Sequence, residues 1–511
     1  MNMRTTNSSF SDQDGSLLAY TNGYFIANRI NDTMENGDSI NPDYSMYQDR
    51  LYQGAIFLPQ PGNDSIIYLF HEQLSLVPTT VPYAFVYLAQ YSSINIFANN
   101  GLGRVLKKNI PLVKDTLCYG KLTSTKHGNG RDWWIIVPEY SKPTYFKYLL
   151  TPHGIDTYPP QTIGNPFVSD GGQAVFTPDG SKYIKINGLS QESWIDILDF
   201  DRCTGTFNNF QGFHKNEGGV TGVSVSLNSR FLYASIGIKI YQYDLWADNI
   251  RASETLVGEV DGFVTNVWMS QLAPDGRIYV GSAGSVFHYH LIHNPNEQGT
   301  ACNFEPFGFT TPTYVSWSIP TFPYYRLGPL DSSPCDTLGI DNEPQAWYRY
   351  EQDTLDALAV EFRDLSYYEP ATWAWDFGDG TPASNTRHPV HQYAQPGAYS
   401  VCLTVTSQYG SDTHCKTLYL GVTAQDNPVL QAQVQVWPNP FRERFAVALS
   451  ANLRSPALRL YDAAGRLVLE QRLMLGVNEI EAGALPAGLY VWEVVAGGER
   501  VKSEKCVKLA E

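Results

Sequence analysis

The 511-residue sequence predicts an all-β protein: a β-propeller of six or seven blades followed by two β-sandwiches. Three observations carry that expectation. No long amphipathic helical pattern occurs, and short alternating runs lie between Gly, Asn, Asp and Pro clusters instead. A polar turn followed by an aromatic-rich strand recurs along the first 330 residues. After residue 340, apolar residues alternate with polar ones in longer strands.

The recurring signal comes first. Six segments share it: SDQDGSLLAYTNG (11–23), PGNDSIIYLFHE (61–72), HGNGRDWWIIVPEY (127–140), TPDGSKYIKING (177–188), SLNSRFLYASIG (226–237) and APDGRIYVGSAG (273–284). Their turn residues Gly15, Asp64, Asn129, Asp179, Asn228 and Asp275 are spaced 49, 65, 50, 49 and 47 residues apart. A period near 50 built from strands alone marks propeller blades, four-stranded sheets that bury their faces only by stacking on one another. This unit is placed at residues 1–330.

Chemistry is sparse in these segments. SDQDG and TPDGS have Asp and Gly where β-turns need them, without the spacing or following Trp of a sialidase Asp-box. In FHYHLIH (287–293), His288 and His290 fall on one face of a strand, as two metal ligands would, but no carboxylate or thiol stands beside them in sequence. His127, Arg131, Asp132, His153 and His214 sit in polar, loop-like stretches and are the residues an enzymatic reading would recruit. The region also resembles the N-terminal repeat domain of large secreted proteins of Bacteroidetes-type bacteria, through SDQDGSLLAYTNGYFIANRINDTMENGD, FDRCTGTFNNF and FPYYRLGPLDSSPCDTLGIDN. In that family a signal peptide and a strand or two precede the first stretch. The resemblance therefore implies that the natural start lies upstream of Met1, with one blade incomplete or closed differently.

Residues 340–423 form the next expected unit. Trp373, Trp375 and Phe377 alternate onto one strand face, and residues 378–380 (Gly-Asp-Gly) turn the chain. Tyr399, Val401, Leu403 and Val405, then Leu418, Leu420 and Val422, supply the next inward faces. Cys402 and Cys415 lie on the opposite face, and a tight turn at Gln408 and Tyr409 sets them across from each other, within disulfide reach. The motifs at residues 375–380, 389–393 and 396–401 resemble those of the PKD domain, an Ig-like β-sandwich used as a spacer or as a binder of polysaccharide or protein. Asp376 and Asp379 are calcium candidates here, against the plainer role of carboxylates that hydrogen-bond turn amides.

Residues 430–511 differ in composition. They carry a net charge of +1 against −17 for the rest of the chain. VQVWPNPFRERFAV (434–447) reads as two strands broken by Pro438, Asn439 and Pro440, because proline cannot donate to a sheet ladder. Leu458 and Leu460, then a turn, then Leu467 and Leu469 read as a hairpin within a second small sandwich. Three motifs resemble the type A C-terminal sorting domain of the type IX secretion system: Pro438, Asn439 and Pro440 with Phe441; Tyr461 and Asp462 with Gly465 and Arg466; and Leu485 with Gly488, Tyr490 and Val491. The resemblance implies delivery across two membranes by a signal peptide and then the type IX machinery, with the body released or held at the cell surface.

Charge and cysteines bound the function. The net charge of −16 argues against nucleic acid and anionic membranes as partners, and no apolar run approaches the ~20 residues of a membrane span. The stretch after Met1 lacks a signal peptide's apolar core. None of the seven cysteines forms a Cys-x-x-Cys pair, so a zinc ribbon or redox motif is not supported. The odd count leaves at least one thiol unpaired within the chain, and a Cys402–Cys415 bond implies an oxidising compartment. A Cys302–Cys335 bond is one guess, and the pairing of Cys118, Cys203, Cys302, Cys335 and Cys506 is otherwise open. The expectation is a secreted or cell-surface binding or adhesion protein whose propeller presents a surface to a glycan or surface protein, without a cofactor other than calcium. The alternative is a polysaccharide-active lyase or hydrolase at the propeller mouth.

Overall fold

A computed structural model describes residues 5–13, 15–41, 51–77, 83–166, 171–188, 191–260, 266–317, 319–353, 356–420, 434–449, 453, 456–462, 466–496 and 499–509. It divides into two compact units, Met1–Glu343 and Pro344–Glu511.

Six antiparallel sheets follow one another along the first unit. The first has three strands, β1 (Ser8–Ser11), β2 (Leu17–Thr21) and β3 (Ile26–Asn28). The second has four long ones, β4 (Ala55–Pro59), β5 (Ile66–Val77), β6 (Tyr83–Asn95) and β7 (Arg104–Leu117). The third comprises β8 (Thr123–Lys126), β9 (Trp133–Pro138), β10 (Thr144–Thr151) and β11 (Gly154–Thr162). The fourth comprises β12 (Ala174–Phe176), β13 (Lys182–Gly188), β14 (Ser193–Asp201) and β15 (Thr206–Lys215). The fifth comprises β16 (Thr221–Val225), β17 (Phe231–Ile236), β18 (Lys239–Asp244) and β19 (Thr255–Glu259). The sixth comprises β20 (Asn266–Leu272), β21 (Ile278–Ala283), β22 (Ser285–Ile292) and β23 (Phe304–Ser316). Each sheet is a meander, with neighbours in space also neighbours in sequence.

Alternation explains why these sheets stack as blades. On β9, Trp133, Ile135 and Val137 join a core with Ile56 and Phe70 of the second sheet, while Trp134 and Ile136 join one with Tyr183 and Leu198 of the fourth. On β13, Tyr183 faces the third sheet, whereas Ile184 and Ile186 meet Val223 and Leu232 of the fifth. On β17, Leu232 and Ala234 look one way, and Phe231 and Tyr233 look the other, onto Val280 and Ile292 of the sixth. Both faces of each middle strand are buried, so the strands read as continuous apolar runs, and each sheet needs a neighbour on either side. Among the described residues, five four-stranded sheets and one three-stranded sheet result, consistent with the expected blades. The long 65-residue step belongs to the second blade, whose β5, β6 and β7 run to 12, 13 and 14 residues.

The repeated turns share one kind of hydrogen bond. In each, a side-chain oxygen of Asp12, Asn63, Asn129, Asp179, Asn228 or Asp275 accepts a backbone N–H two to four residues on. A left-handed residue follows directly in four of them, Gly130, Gly180, Ser229 and Gly276, whereas Gly15 comes three residues after Asp12 and Gly62 precedes Asn63.

The second unit holds two sandwiches. In one, β24 (Tyr348–Gln352), β25 (Ala359–Asp364) and β27 (Val390–Gln392) form a sheet opposite that of β26 (Thr372–Asp376), β28 (Gly397–Ser407) and β29 (Gly410–Leu420). Its core contains Trp375, Phe377, Val401, Leu403, Val405, Leu418 and Leu420 as their alternation requires, while Val422 lies outside the described residues. In the other, β30 (Val434–Trp437), β31 (Arg444–Leu449) and β34 (Gly476–Glu481) face β33 (Leu467–Arg472), β32 (Ala457–Asp462), β35 (Gly488–Ala496) and β36 (Glu499–Lys508). Val434, Phe445, Leu458, Tyr490 and Trp492 fill that core.

Cys402 and Cys415 are directly opposed in the β28–β29 ladder and joined in a disulfide. The guess about Cys302 is corrected. Cys335 pairs with Cys203, 132 residues away, and Cys302 is a buried free thiol beside Tyr233. Cys203 occupies the β14–β15 turn, and the chain leaving the sixth blade passes over that turn. Cys302 instead sits on the far side of the β22–β23 connection, facing the fifth blade.

Candidate functional site

The propeller axis is closed by side chains and by the exit segment. The Gln53 amide, just before β4, pairs with the backbone of Ala174 on β12, at 2.7 Å each way. Gln173 donates to Ser270 O at 2.7 Å and accepts from Ser270 N and Val223 N at 3.0 Å. These amides act like extra strand residues and tie inner strands of separate blades together. Residues 321–326 then line a cavity of about 90 Å³ with Thr125, Phe176, Ser224 and Leu272. Tyr325 is anchored there by its hydroxyl, which donates to Phe57 O at 2.7 Å, and by ring contacts with Trp133 and Phe10. Thr321 N donates to Asn7 O and Thr321 O accepts from Ser8 Oγ, both at 2.8 Å, so the exit segment joins β1 and the ring closes.

From there the chain crosses the repeated turns. Arg202 donates to Gly328 O at 2.5 Å, to His127 O at 3.2 Å and to Lys126 O at 2.9 Å, and Leu330 N reaches Gly128 O at 2.8 Å. Burial draws the Arg202 guanidinium down to about 10. The Cys203–Cys335 bond fastens the end of this strap. Sequence reasoning singled out none of Gln53, Gln173, Arg202 and Tyr325 for a role, since each acts across blades, although Arg202 and Tyr325 lie in stretches that carry the family resemblance.

The enzymatic candidates do not converge. His127 bonds Cys203 O and the Asn129 amide, and Asp132 bonds Asn129 and Arg131, so this turn is satisfied within itself and under the strap. Burial lowers the His127 pKa. His153 sits in the β10–β11 hairpin turn, and His214 stacks on Trp194 at 4.8 Å, beside an open basin shared with Lys215, Glu217 and Glu254. In that basin Lys215 bonds Glu254 at 2.6 Å, and the Tyr241 and Tyr243 hydroxyls donate to Glu217 and Glu254 at 2.7 Å. Burial first, and then the Glu217 carboxylate, hold the Tyr241 phenol well above its usual range.

His288 and His290 share a face of β22. His290 is buried, with Ser282 Oγ at 3.0 Å on one ring nitrogen and the Phe307 amide at 3.1 Å on the other. His288 meets Thr310 Oγ1 at 3.2 Å. Among the described residues, no three His, Cys, Asp or Glu side chains cluster as metal ligands would. In the first sandwich, Asp376 accepts the Gly378 amide at 2.9 Å and Asp379 accepts the Thr381 amide at 3.1 Å. The His391 ring bonds Asp379 at 2.8 Å and stacks on Phe377 at 3.9 Å. Burial works against the charged Asp379, but hydrogen bonds from Thr381 and His391 outweigh it and lower its pKa.

The sequence motifs of the last sandwich come together at one end of it. Pro438 and Pro440 both follow cis peptide bonds, and between them the Asn439 side chain donates to Lys505 O at 2.9 Å and accepts from Val507 N at 3.0 Å. The side-chain amide thus replaces the backbone pairing the prolines cannot make. Phe441 then bridges Lys508, exchanging bonds with Val507 and Leu509. Gly488 is also paired with Lys508, Tyr490 with Cys506, and Asp462 with Tyr490. Asp462 holds Arg466 by a 2.8 Å ion pair, while Gly465 lies outside the described residues. The Tyr490 hydroxyl donates to Pro486 O at 2.7 Å. Trp437, Leu489, Val507 and Leu509 are exposed around this end.

Comparison with known proteins agrees with this division. Residues 349–422 match the PKD domain, and residues 435–508 match the secretion system C-terminal sorting domain. The PKD1 domain of the Vibrio cholerae metalloprotease PrtV is 32% identical, with 16% of this chain and 99% of that one covered and a TM-score of 0.14. PorZ, a surface component of the type IX secretion system of Porphyromonas gingivalis, is 10% identical, with 89% and 51% covered and a TM-score of 0.29. A putative 6-phosphogluconolactonase from Bacteroides uniformis is 12% identical, with 60% and 96% covered and a TM-score of 0.33.

Proposed function

We propose that this chain, which carries a PKD domain and a secretion-system C-terminal sorting domain, is a cell-surface binding protein delivered by the type IX machinery, with its propeller as the ligand-bearing platform. The sorting domain marks the protein as secreted or held at the cell surface. The observation that carries the delivery reading is that Asn439 and Phe441 bond β36 and Gly488 and Tyr490 pair with it, while Asp462 pairs with Tyr490 on β35, which brings together motifs dispersed over about 50 positions of sequence. Binding rather than catalysis is supported by the propeller's construction. Its axial cavity, at about 90 Å³, is smaller than the few hundred Å³ of an ordinary ligand pocket. At the turn of residues 127–132, His127, Arg131 and Asp132 are engaged with one another, with Asn129 or with backbone.

The test is fractionation in a bacterium that has the type IX machinery, with the chain placed behind that bacterium's own signal peptide. The intact chain is expected at the surface or in the medium, and a version ending at residue 424 in the periplasm. Surface delivery of the shortened chain would overturn the proposal.

A further inference from the structure

Lys185 and Asp196 stand directly opposite each other on β13 and β14, the two central strands of the fourth blade. Directly opposed residues of an antiparallel pair point to the same side. Here that side faces the third blade, because Tyr183 and Leu198, two residues along the same strands, pack on Trp134 and Tyr145. Lys185 is 1% exposed and Asp196 4%. The Lys185 Nζ lies 3.6 Å from Asp196 Oδ2 and donates to the Tyr145 hydroxyl at 2.5 Å. Gly212, opposite Asp196 on β15, leaves room for the carboxylate, since an added Cβ would lie 2.8 Å from Asp196 Oδ1.

An ion pair enclosed in this way is costly to keep. Neither charge is hydrated, and their attraction offsets the lost hydration only where further hydrogen bonds complete both groups. Burial accordingly pushes the Lys185 ammonium down to about 8 and the Asp196 carboxyl up, both toward their uncharged forms. An uncharged amine is a nucleophile, and an uncharged carboxyl accepts its attack. Held by two paired strands, the groups meet as parts of one molecule, at an effective molarity on the order of 10⁵ M.

A second pair on the same ladder shows what burial adds. Lys182 and Asp199 are also directly opposed, but their side chains are 23% and 36% exposed. Burial works against the charged Asp199, but bonds from Lys182 and Asn209 outweigh it and lower its pKa, so this pair stays ionised.

We infer that the Lys185 side chain and the Asp196 carboxyl condense to an isopeptide bond once the chain has folded. One proton passes from the ammonium to the carboxylate. The amine lone pair then attacks Cγ of Asp196, the Nζ–Cγ bond forms, and one Cγ–Oδ bond breaks. The departing oxygen leaves as water, taking its second proton from Nζ, with the Tyr145 hydroxyl placed to carry it. No co-reactant is consumed, and two buried charges disappear. In an exported protein such a link holds the blade closed independently of the redox conditions on which the two disulfides depend.

Mass spectrometry of the whole chain after disulfide reduction tests this. The expected mass lies one water below that of the sequence, and digestion is expected to yield a branched peptide joining Lys185 to Asp196. A Lys185→Arg variant should keep its full sequence mass. A Tyr145→Phe variant, refolded and sampled over time, should close the bond about 100-fold more slowly while giving the parent's circular dichroism spectrum. Full sequence mass in the parent chain after prolonged incubation would overturn the inference. A loss of water traced to any other pair, Lys182 and Asp199 included, would overturn it as well. Closure at the parental rate in the Tyr145→Phe variant would remove Tyr145 from the proton path. The parent chain's own mass and branched peptide decide the bond itself, whether or not either variant folds.

Discussion

Several side chains are set by contacts that only a folded chain supplies. Lys185 is buried between the third and fourth blades, 3.6 Å from Asp196, and its ammonium donates to the Tyr145 hydroxyl at 2.5 Å. Burial pushes its pKa down to about 8. Replacing Lys185 with Ala leaves the Asp196 carboxyl buried without that cation, at an expected cost of about 3 kcal/mol in chemical denaturation. Three histidines point to acid sensitivity. Burial lowers His71 to about 3, and His290 and His388 to about 4. Each is neutral when folded and takes a proton more readily when unfolded. Stability is therefore full above the ordinary value of 6.5 and falls as pH drops from there toward 4. The denaturation midpoint should decline over that interval, and a His290→Gln variant should show a shallower decline. Gly120 is fixed by close approach, because at φ +82° an added Cβ would lie 1.5 Å from Tyr52 O. Its role was not legible in the sequence, since the obstruction comes from a residue 68 positions away.

At the scale of elements, the strap and the β28–β29 hairpin show two kinds of disulfide. The Cys402–Cys415 pairing is legible in the sequence, because strand alternation and a two-residue turn fix which residues oppose each other. The Cys203–Cys335 pairing was not, because 132 residues of four-strand meanders intervene and their stacking alone brings the ends together. Loop-closure entropy grows with the length enclosed, so removing the longer link should matter more. A Cys203→Ser/Cys335→Ser variant is expected to lose roughly 2–4 kcal/mol and to be cut by protease within residues 326–336, while the Cys402→Ser/Cys415→Ser variant loses less. Equal losses, or an uncut strap, would argue that Arg202 and Leu330 hold the strap without the bond. The break at residues 438–440 is also an element-scale device. It ends β30 and carries the chain to β36, where the Asn439 side chain makes the pairings.

For the whole molecule, the sequence by itself determined the class and the order of the parts. Turn residues recurring near every 50 positions require blades, and strict alternation around Trp375, Val401 and Leu403 requires a half-buried sandwich sheet. These are local signals, written in the spacing of turn formers and apolar residues along one stretch of chain. Tertiary structure decided the rest: the stacking of six sheets among the described residues; an axis filled by Gln53, Gln173 and Tyr325; and the scattering of His127, His153 and His214. It also decided that Asn439 and Phe441 lie against β36, that Gly488 and Tyr490 pair with it, and that Asp462 reaches the same end through Tyr490 on β35. Those outcomes depend on which sheet packs against which, and the free energy of that packing lies in contacts between residues far apart in sequence. Periodicity along the chain carries no record of them.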